Sequence, residues 1–375
     1  MSAMKLLRLC TQHIRLNHPL PWNVRSEPGQ LLLSKGFVLT SQAQIDALMA
    51  RGMFVDQDEY EQHARQVAEE GFAKVDPFAL WSNILRNVAQ VLLHPDSPTF
   101  VTEIKLLSGT IQKAMNDELE VGSFEMLHDQ PVGYAVMHSL QTAFVACLVA
   151  ERFGWSEAER HTLLQASLTM NISMLNLQNV LAKQVTPPTP EQRGEIDAHP
   201  RKGRQMLEAA GVIDTDWLHT VEHHHVTQGG KPLPADRSAL SPLACMIHYA
   251  DVYLAKMSPR ATRPALAVNV AARELYVHAG GPDNPYVAAI IKEMGIFPPG
   301  SYVKLANGDT GVVTRKGESA SAPMVHSLIS SDGWVFPDAK LRDTTKPEYK
   351  VVAAVPRDNV LLRLNRQRLF GYVAA

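Results

Sequence analysis

The chain has 375 residues, 45% hydrophobic and 20% charged, with a formal net charge of −2. That length asks for two or three domains, and the composition is ordinary for a soluble globular protein. The charge balance gives no basis for general binding to nucleic acid or to an anionic membrane.

In chain order, the first unit reads as a small α/β module over residues 1–56. Short strands at 19–24 and 31–33 flank the turn Glu27-Pro28-Gly29-Gln30. Ser41 and Gln44 form a capping box for a helix to Arg51, Gly52 ends it, and Phe54-Val55 reads as a brief strand. Residues 57–121 form a helical linker region: 57–75 is charged and helix-prone, and Leu80, Ile84, Leu85, Val88, Val91 and Leu92 then recur at helical spacing.

Residues 122–296 are a helical array. A helix from Tyr134 to Phe153 carries His138, and Gly154 stops it. Ser156 with Glu159 starts the next, and Thr189-Pro190-Glu191-Gln192 starts a helix that reaches about Ala210. That helix holds His199-Pro200, where the proline implies a kink or break and the histidine could satisfy freed carbonyls. From His161 to Ala182 there is no Asp, Glu, Lys or Arg, about the length of a membrane span. Five Asn and Gln side chains in it are costly in lipid, so a deeply buried helix and turn, and no membrane span, is the expectation. A helix holding Trp217 delivers His223-His224-His225 at its end, and Ser241-Pro242 begins another with His248 and Asp251. From residue 297 to 375 short strands alternate with Asn-Gly, Lys-Gly and Asp-Gly turns, of which Asn307-Gly308 is the clearest hairpin. Cys10, Cys147 and Cys245 lack zinc-motif or redox-motif spacing, and the latter two read as buried thiols suited to a reducing cytoplasm.

Histidines and carboxylates on successive helices are how helical metal-dependent hydrolases assemble a site. His138, His199, His223, His224 and Asp251 arrive in that manner. The segment Asp197-Ala198-His199-Pro200-Arg201-Lys202-Gly203, the pair His223-His224, the helix Tyr249-Ala250-Asp251-Val252-Tyr253 and the turn Ser258-Pro259-Arg260 resemble the HD-GYP family of HD-domain phosphohydrolases. Gly295-Ile296-Phe297-Pro298-Pro299-Gly300-Ser301 resembles that family's exit. The resemblance covers roughly residues 132–311. It implies a mainly α protein: an HD-domain helical bundle with the small N-terminal α/β module and a short β-rich C-terminal segment. It also implies a bacterial signalling role involving cyclic di-GMP.

The resemblance breaks where chemistry should occur. Met170 stands at the family's metal-binding histidine, Asn171 at its bridging aspartate and Met174 at a nearby lysine. His225 replaces a glutamate and reads as exposed, and Gln228 replaces an aspartate. Lys231-Pro232-Leu233 stands where Gly-Tyr-Pro belongs, which removes the loop the family uses toward GGDEF-domain partners. Met170 and Met174, four apart, read as one apolar helical face, and His248 as a packed core histidine. The remnant set His138, His199, His223, His224 and Asp251 suffices for one divalent metal, iron or manganese, or for none. Arg260 and Arg263 are the candidate phosphate grips.

The first reading is thus a degenerate, cytoplasmic HD-GYP-like protein that binds a cyclic dinucleotide or a signalling-protein partner with little or no hydrolysis. The second is a phosphodiesterase with a reduced, single-metal site. The third is a scaffold for a homodimer.

Overall fold

The computed structural model describes residues 6–8, 19–50, 53–59, 76–128, 132–225, 241–261, 265–279 and 281–372. The chain divides into two compact units, residues 1–107 and 108–375. Cys10, most of the charged segment 57–75, Gln228, the loop 229–234 and Arg263 lie outside the described residues.

In the first unit, β1 (Leu6–Arg8), β2 (Val24–Arg25), β3 (Leu31–Leu33) and β4 (Phe54–Asp56) form a sheet in the order β1-β4-β2-β3. The Ser41 capping box is present, and α1 (Gln42–Ala50) follows it. Ile45 of that helix packs with Trp22, Val24 and Val55 in a small core. Helix α2 (Pro77–Leu92) is capped by Asp76, whose carboxylate accepts from the Phe78 amide, and helix α3 (Phe100–Asp117) carries the chain into the second unit.

The second unit is a helical bundle followed by a sheet. Its helices are α4 (Leu119–Met126), α5 (Tyr134–Arg152), α6 (Glu157–Thr169), α7 (Leu175–Lys183), α8 (Pro190–Ala209), α9 (Thr215–His223), α10 (Pro242–Met257), α11 (Val268–His278) and α12 (Pro285–Met294). Both capping boxes read from the sequence are formed, Ser156–Glu159 on α6 and Thr189–Gln192 on α8. Helix α5 is the centre of the bundle: it packs on α6, α7, α10 and α12, and nearly all of its residues are buried. It is also the one described helix long and apolar enough to cross a membrane, and its length lies inside the protein core instead. The uncharged stretch after His161 is broken by a short 3-10 turn, Ile172–Met174, between α6 and α7.

Two sequence expectations change at this level. Helix α8 runs unbroken through Pro200. Helix α6 stops at Thr169, so Met170 and Met174 do not share a helical face; Met170 is fully buried and Met174 only half-buried.

The C-terminal strands β5 (Tyr302–Leu305), β6 (Thr310–Arg315), β7 (Met324–Ile329), β8 (Val335–Asp343) and β9 (Val351–Ala354) form an antiparallel sheet ordered β8-β7-β6-β5-β9. The expected Asn307-Gly308 turn joins β5 to β6. Gly308 has φ +88° there, and a Cβ would lie 2.8 Å from that of Ser331, so both conformation and space demand glycine. Arg366 pins the last segment to the bundle by two 2.6 Å bonds to the buried Glu125 carboxylate.

Candidate metal centre

The site begins with an unusual helical proline. In a regular helix the amide of residue 200 would donate to the carbonyl of Ile196, and Pro200 has no amide to give. The Nδ1–H of His199 donates to that freed Ile196 carbonyl instead. The helix keeps its acceptor satisfied and continues through the proline, and the His199 ring is fixed with Nε2 turned toward His224. Gly203, one turn on, lets α8 approach α9 and the end of α6: a Cβ there would sit 3.3 Å from Val221 and 3.7 Å from the Met170 carbonyl.

Helix α9 supplies the facing groups. Asp214 caps it, and Trp217 Nε1–H donates at 2.8 Å to the buried Thr169 hydroxyl of α6, which fixes its rotation. At its end three consecutive histidines point in different directions, because helical residues are set about 100° apart. His223 turns away: its Nδ1–H donates to the His219 carbonyl at 2.9 Å and its ring stacks on His219 at 4.1 Å. His224 turns inward and is fully buried, its Nδ1–H donating to the Val221 carbonyl at 2.7 Å. His225 follows it in, with ring centroids 4.2 Å from His224 and 5.1 Å from His199. The pair on this site is therefore His224 with His225, a one-residue correction to the expected His223 with His224. His225 is still partly exposed, as read from the sequence, yet it belongs to the cluster. Nδ1 of His248 on α10 bonds the His224 carbonyl at 3.1 Å and holds this turn from behind.

Ligating atoms of His199, His224 and His225 all lie within 4.8 Å of one another, and this is the one such group of three among the described residues. Nε2 of His199 and Nε2 of His224 are 3.2 Å apart. A carbonyl only accepts, so each Nδ1 carries its ring's hydrogen and each neutral ring presents an Nε2 lone pair to the other. Burial pushes His199 down to about 4 and His224 well below its usual range, so near neutral pH both rings are uncharged. Two facing lone pairs repel unless an electrophile lies between them. For metal–nitrogen bonds of about 2.0–2.1 Å, nitrogens on one tetrahedral ion are roughly 3.4 Å apart. Histidines whose other nitrogen donates to a carbonyl are the usual form of metal-ligating imidazole. The residues present fit one divalent metal held by His199, His224 and His225; such an ion would act as a Lewis acid and lower the pKa of its bound water.

Asp251 of α10 stands beside this cluster, its carboxylate 4.0 Å from His225 Nδ1. Its other oxygen accepts from His138 Nε2–H on α5 at 2.6 Å. Burial alone would raise the Asp251 carboxyl; the hydrogen bond from His138 outweighs that and holds it well below the carboxylate range. Tyr134 stacks on the His138 ring, 5.5 Å between centroids, and Arg260 Nη2 donates to the Tyr134 hydroxyl at 3.2 Å. His138 and Asp251 are thus engaged with each other, and Arg260 reaches this side of the site through Tyr134. The position of Asn171 agrees with a single ion. It is buried, and its Oδ1 has no hydrogen-bond partner. A neutral carbonyl there cannot offset the charge of a second cation.

The sequence missed His225 and Tyr134. The only advance signal for His225 was its adjacency to two other histidines, and for Tyr134 its place four residues before His138.

A scan against protein-family models finds no match. Over 201 residues the chain is 25% identical to the cyclic di-GMP phosphodiesterase PA4108 of Pseudomonas aeruginosa. That match covers 53% of this chain and 49% of the other, so the chain spans about half the length of the curated relative it matches. Among solved structures it is similar to Bd1817, an HDG"Y"P protein from Bdellovibrio bacteriovorus, with a TM-score of 0.50 and 13% identity over 76% of this chain and 98% of that one. The structural likeness is one of fold, a helical bundle of the kind seen in that HDG"Y"P protein. Both similarities run to HD-GYP-type proteins, and Met170 and Asn171 stand where the sequence resemblance places that family's His-Asp pair.

Proposed function

We propose that this protein binds a cyclic dinucleotide of the cyclic di-GMP type at a single-metal site and turns it over slowly or not at all, serving as a cytoplasmic binding component of bacterial signalling. The observation that carries the reading is the buried Asn171, a neutral side chain whose Oδ1 has no hydrogen-bond partner, in a bundle that gathers three histidines. A two-metal clamp on the attacking and leaving oxygens of a phosphodiester needs an anionic bridge between the ions, and Asn171 supplies none. One ion on neutral imidazoles still attracts a phosphate, and Arg260 would orient it as a charged donor fork. The similarity to a cyclic di-GMP phosphodiesterase supports this choice of ligand class. Buried free thiols at Cys147 and Cys245 suit a reducing compartment.

The test is calorimetry with cyclic di-GMP on protein of measured metal content, run beside a turnover assay with manganese or iron. Stoichiometric binding without comparable turnover, weakened by Arg260→Ala, is the expected result; absence of binding sinks the reading. The second reading, a slow single-metal phosphodiesterase, draws on the Asp251 carboxylate beside the cluster. It predicts hydrolysis that Asp251→Ala abolishes.

A further inference from the structure

Within the second unit a half-enclosed cavity of about 510 Å³ opens between the helical bundle and the C-terminal sheet. Its wall is apolar: Met137, Leu254, Met257, Leu266, Phe297 and Val355 come from five different segments of the chain. The polar lining has one sign. Lys183 and Arg357 are its charged residues, and no aspartate or glutamate lines it. The Lys183 ammonium has no hydrogen-bond or ion-pair partner among the described residues.

Two helices also begin on this cavity. Gly133 caps α5 and Ala267 caps α11 without a side-chain bond of their own; of the first-turn amides, Ala135 donates to Asn179 Oδ1 at 2.9 Å and Val270 to Asn269 Oδ1 at 3.0 Å. Helix N-termini carry partial positive charge, so backbone and side chains favour the same kind of guest. A cavity of this size with mostly apolar walls and a few convergent polar groups is the usual form of a small-molecule site.

We propose that this cavity binds an amphipathic organic anion, with an apolar or planar body against the Met137 and Phe297 walls and one anionic head at Lys183. The site is distinct from the histidine cluster. Tyr134 connects the two, because it lines the cavity and stacks on His138.

The probe is 8-anilinonaphthalene-1-sulfonate, titrated by fluorescence into the full chain, with the uncharged N-phenyl-1-naphthylamine as its partner probe. The expected result is one saturable sulfonate site per chain, weakened three- to tenfold by Lys183→Gln, with the neutral probe unaffected by that change. Met137→Trp fills the cavity and should abolish both signals while circular dichroism and Tm stay native. If that variant does not fold, Ala182→Met narrows the cavity from another wall and serves the same purpose. Several weak sites that survive the filling variant would overturn the proposal, as would equal affinity for the two probes. Stoichiometric displacement of the sulfonate by cyclic di-GMP would also overturn it, since the cavity would then be part of a dinucleotide site. The displacement arm separates this outcome from failure of the dinucleotide reading, because probe binding does not require that the dinucleotide bind at all.

Discussion

Nε2 of His199 and Nε2 of His224 face each other across 3.2 Å, each ring having committed its only hydrogen to a backbone carbonyl on its far side. Two lone pairs make no hydrogen bond with each other, and a cation between them, as proposed, would relieve their repulsion. His224→Ala should therefore reduce bound metal at least tenfold. The less obvious expectation concerns the neighbours: His225→Ala should lower metal occupancy or shift the visible spectrum of the cobalt-loaded protein, and His223→Ala should do neither. If His223→Ala is the damaging change, α9 must be rotated by about one residue from the orientation that buries His224.

Pro200→Ala should move stability and metal affinity in opposite directions. The new amide at 200 would take the Ile196 carbonyl, and a helix-interior proline costs up to about 3 kcal/mol relative to alanine. Thermal stability of the metal-free protein should rise. His199 would lose the acceptor that fixes its ring, and loss of such a support typically weakens metal binding about 10–100-fold. Unchanged affinity in a competition titration would show that Pro200 plays no part in orienting His199.

Metal-free protein should lose stability as pH falls from about 6.5 to about 4. His199 is pushed from 6.5 down to about 4 in the folded chain by burial. Between those values the unfolded chain binds the proton and the folded chain does not, so acidification favours unfolding across that window. The contribution, present above 6.5 and lost by 4, is on the order of 3 kcal/mol for His199 alone. His224, lowered by burial in the same direction, adds to it. Urea unfolding in chelator at pH 7 and pH 4.5 measures the difference, and His199→Gln should remove a substantial part of it.

On the proposed reading, introducing the HD-GYP-type residues should create a site for a second ion. Met170→His with Asn171→Asp would place an anion at a position now 1% exposed, a costly burial without metal. The metal-free double variant should melt several degrees lower than the parent. Added manganese should reverse that loss and raise the measured stoichiometry from one toward two. A stoichiometry fixed at one would mean that more than these two side chains has changed.

Much of this architecture was legible in advance. The capping boxes at Ser156 and Thr189 and the Asn307-Gly308 turn appear where the residues require them, because each is decided by local chemistry within four residues. At Pro200 the expected rescue of a freed carbonyl by His199 is present, and the helix continues where a kink or break was expected because that donor is adjacent. The choice of His225 over His223 was not legible. It depends on the rotation of α9 about its axis, which the long-range bond from Trp217 to Thr169 sets. Met174 failed as core for a related reason: the helix ends at Thr169, and helical spacing has no meaning beyond that point.

The bond between His138 and Asp251 joins positions 113 residues apart, and the cluster beside it draws on the middle of α8 and the end of α9. No short segment of the chain can hold the ion, so occupancy reports on the integrity of the whole bundle. Metal in excess of its dissociation constant therefore protects every bundle helix at once, by mass action on the folded state. A cell short of the metal would hold a protein that opens more often, and a protease cut anywhere between α5 and α10 would release ion and fold together. If the cluster holds an ion as proposed, metal supply controls how long the protein persists as well as what it binds.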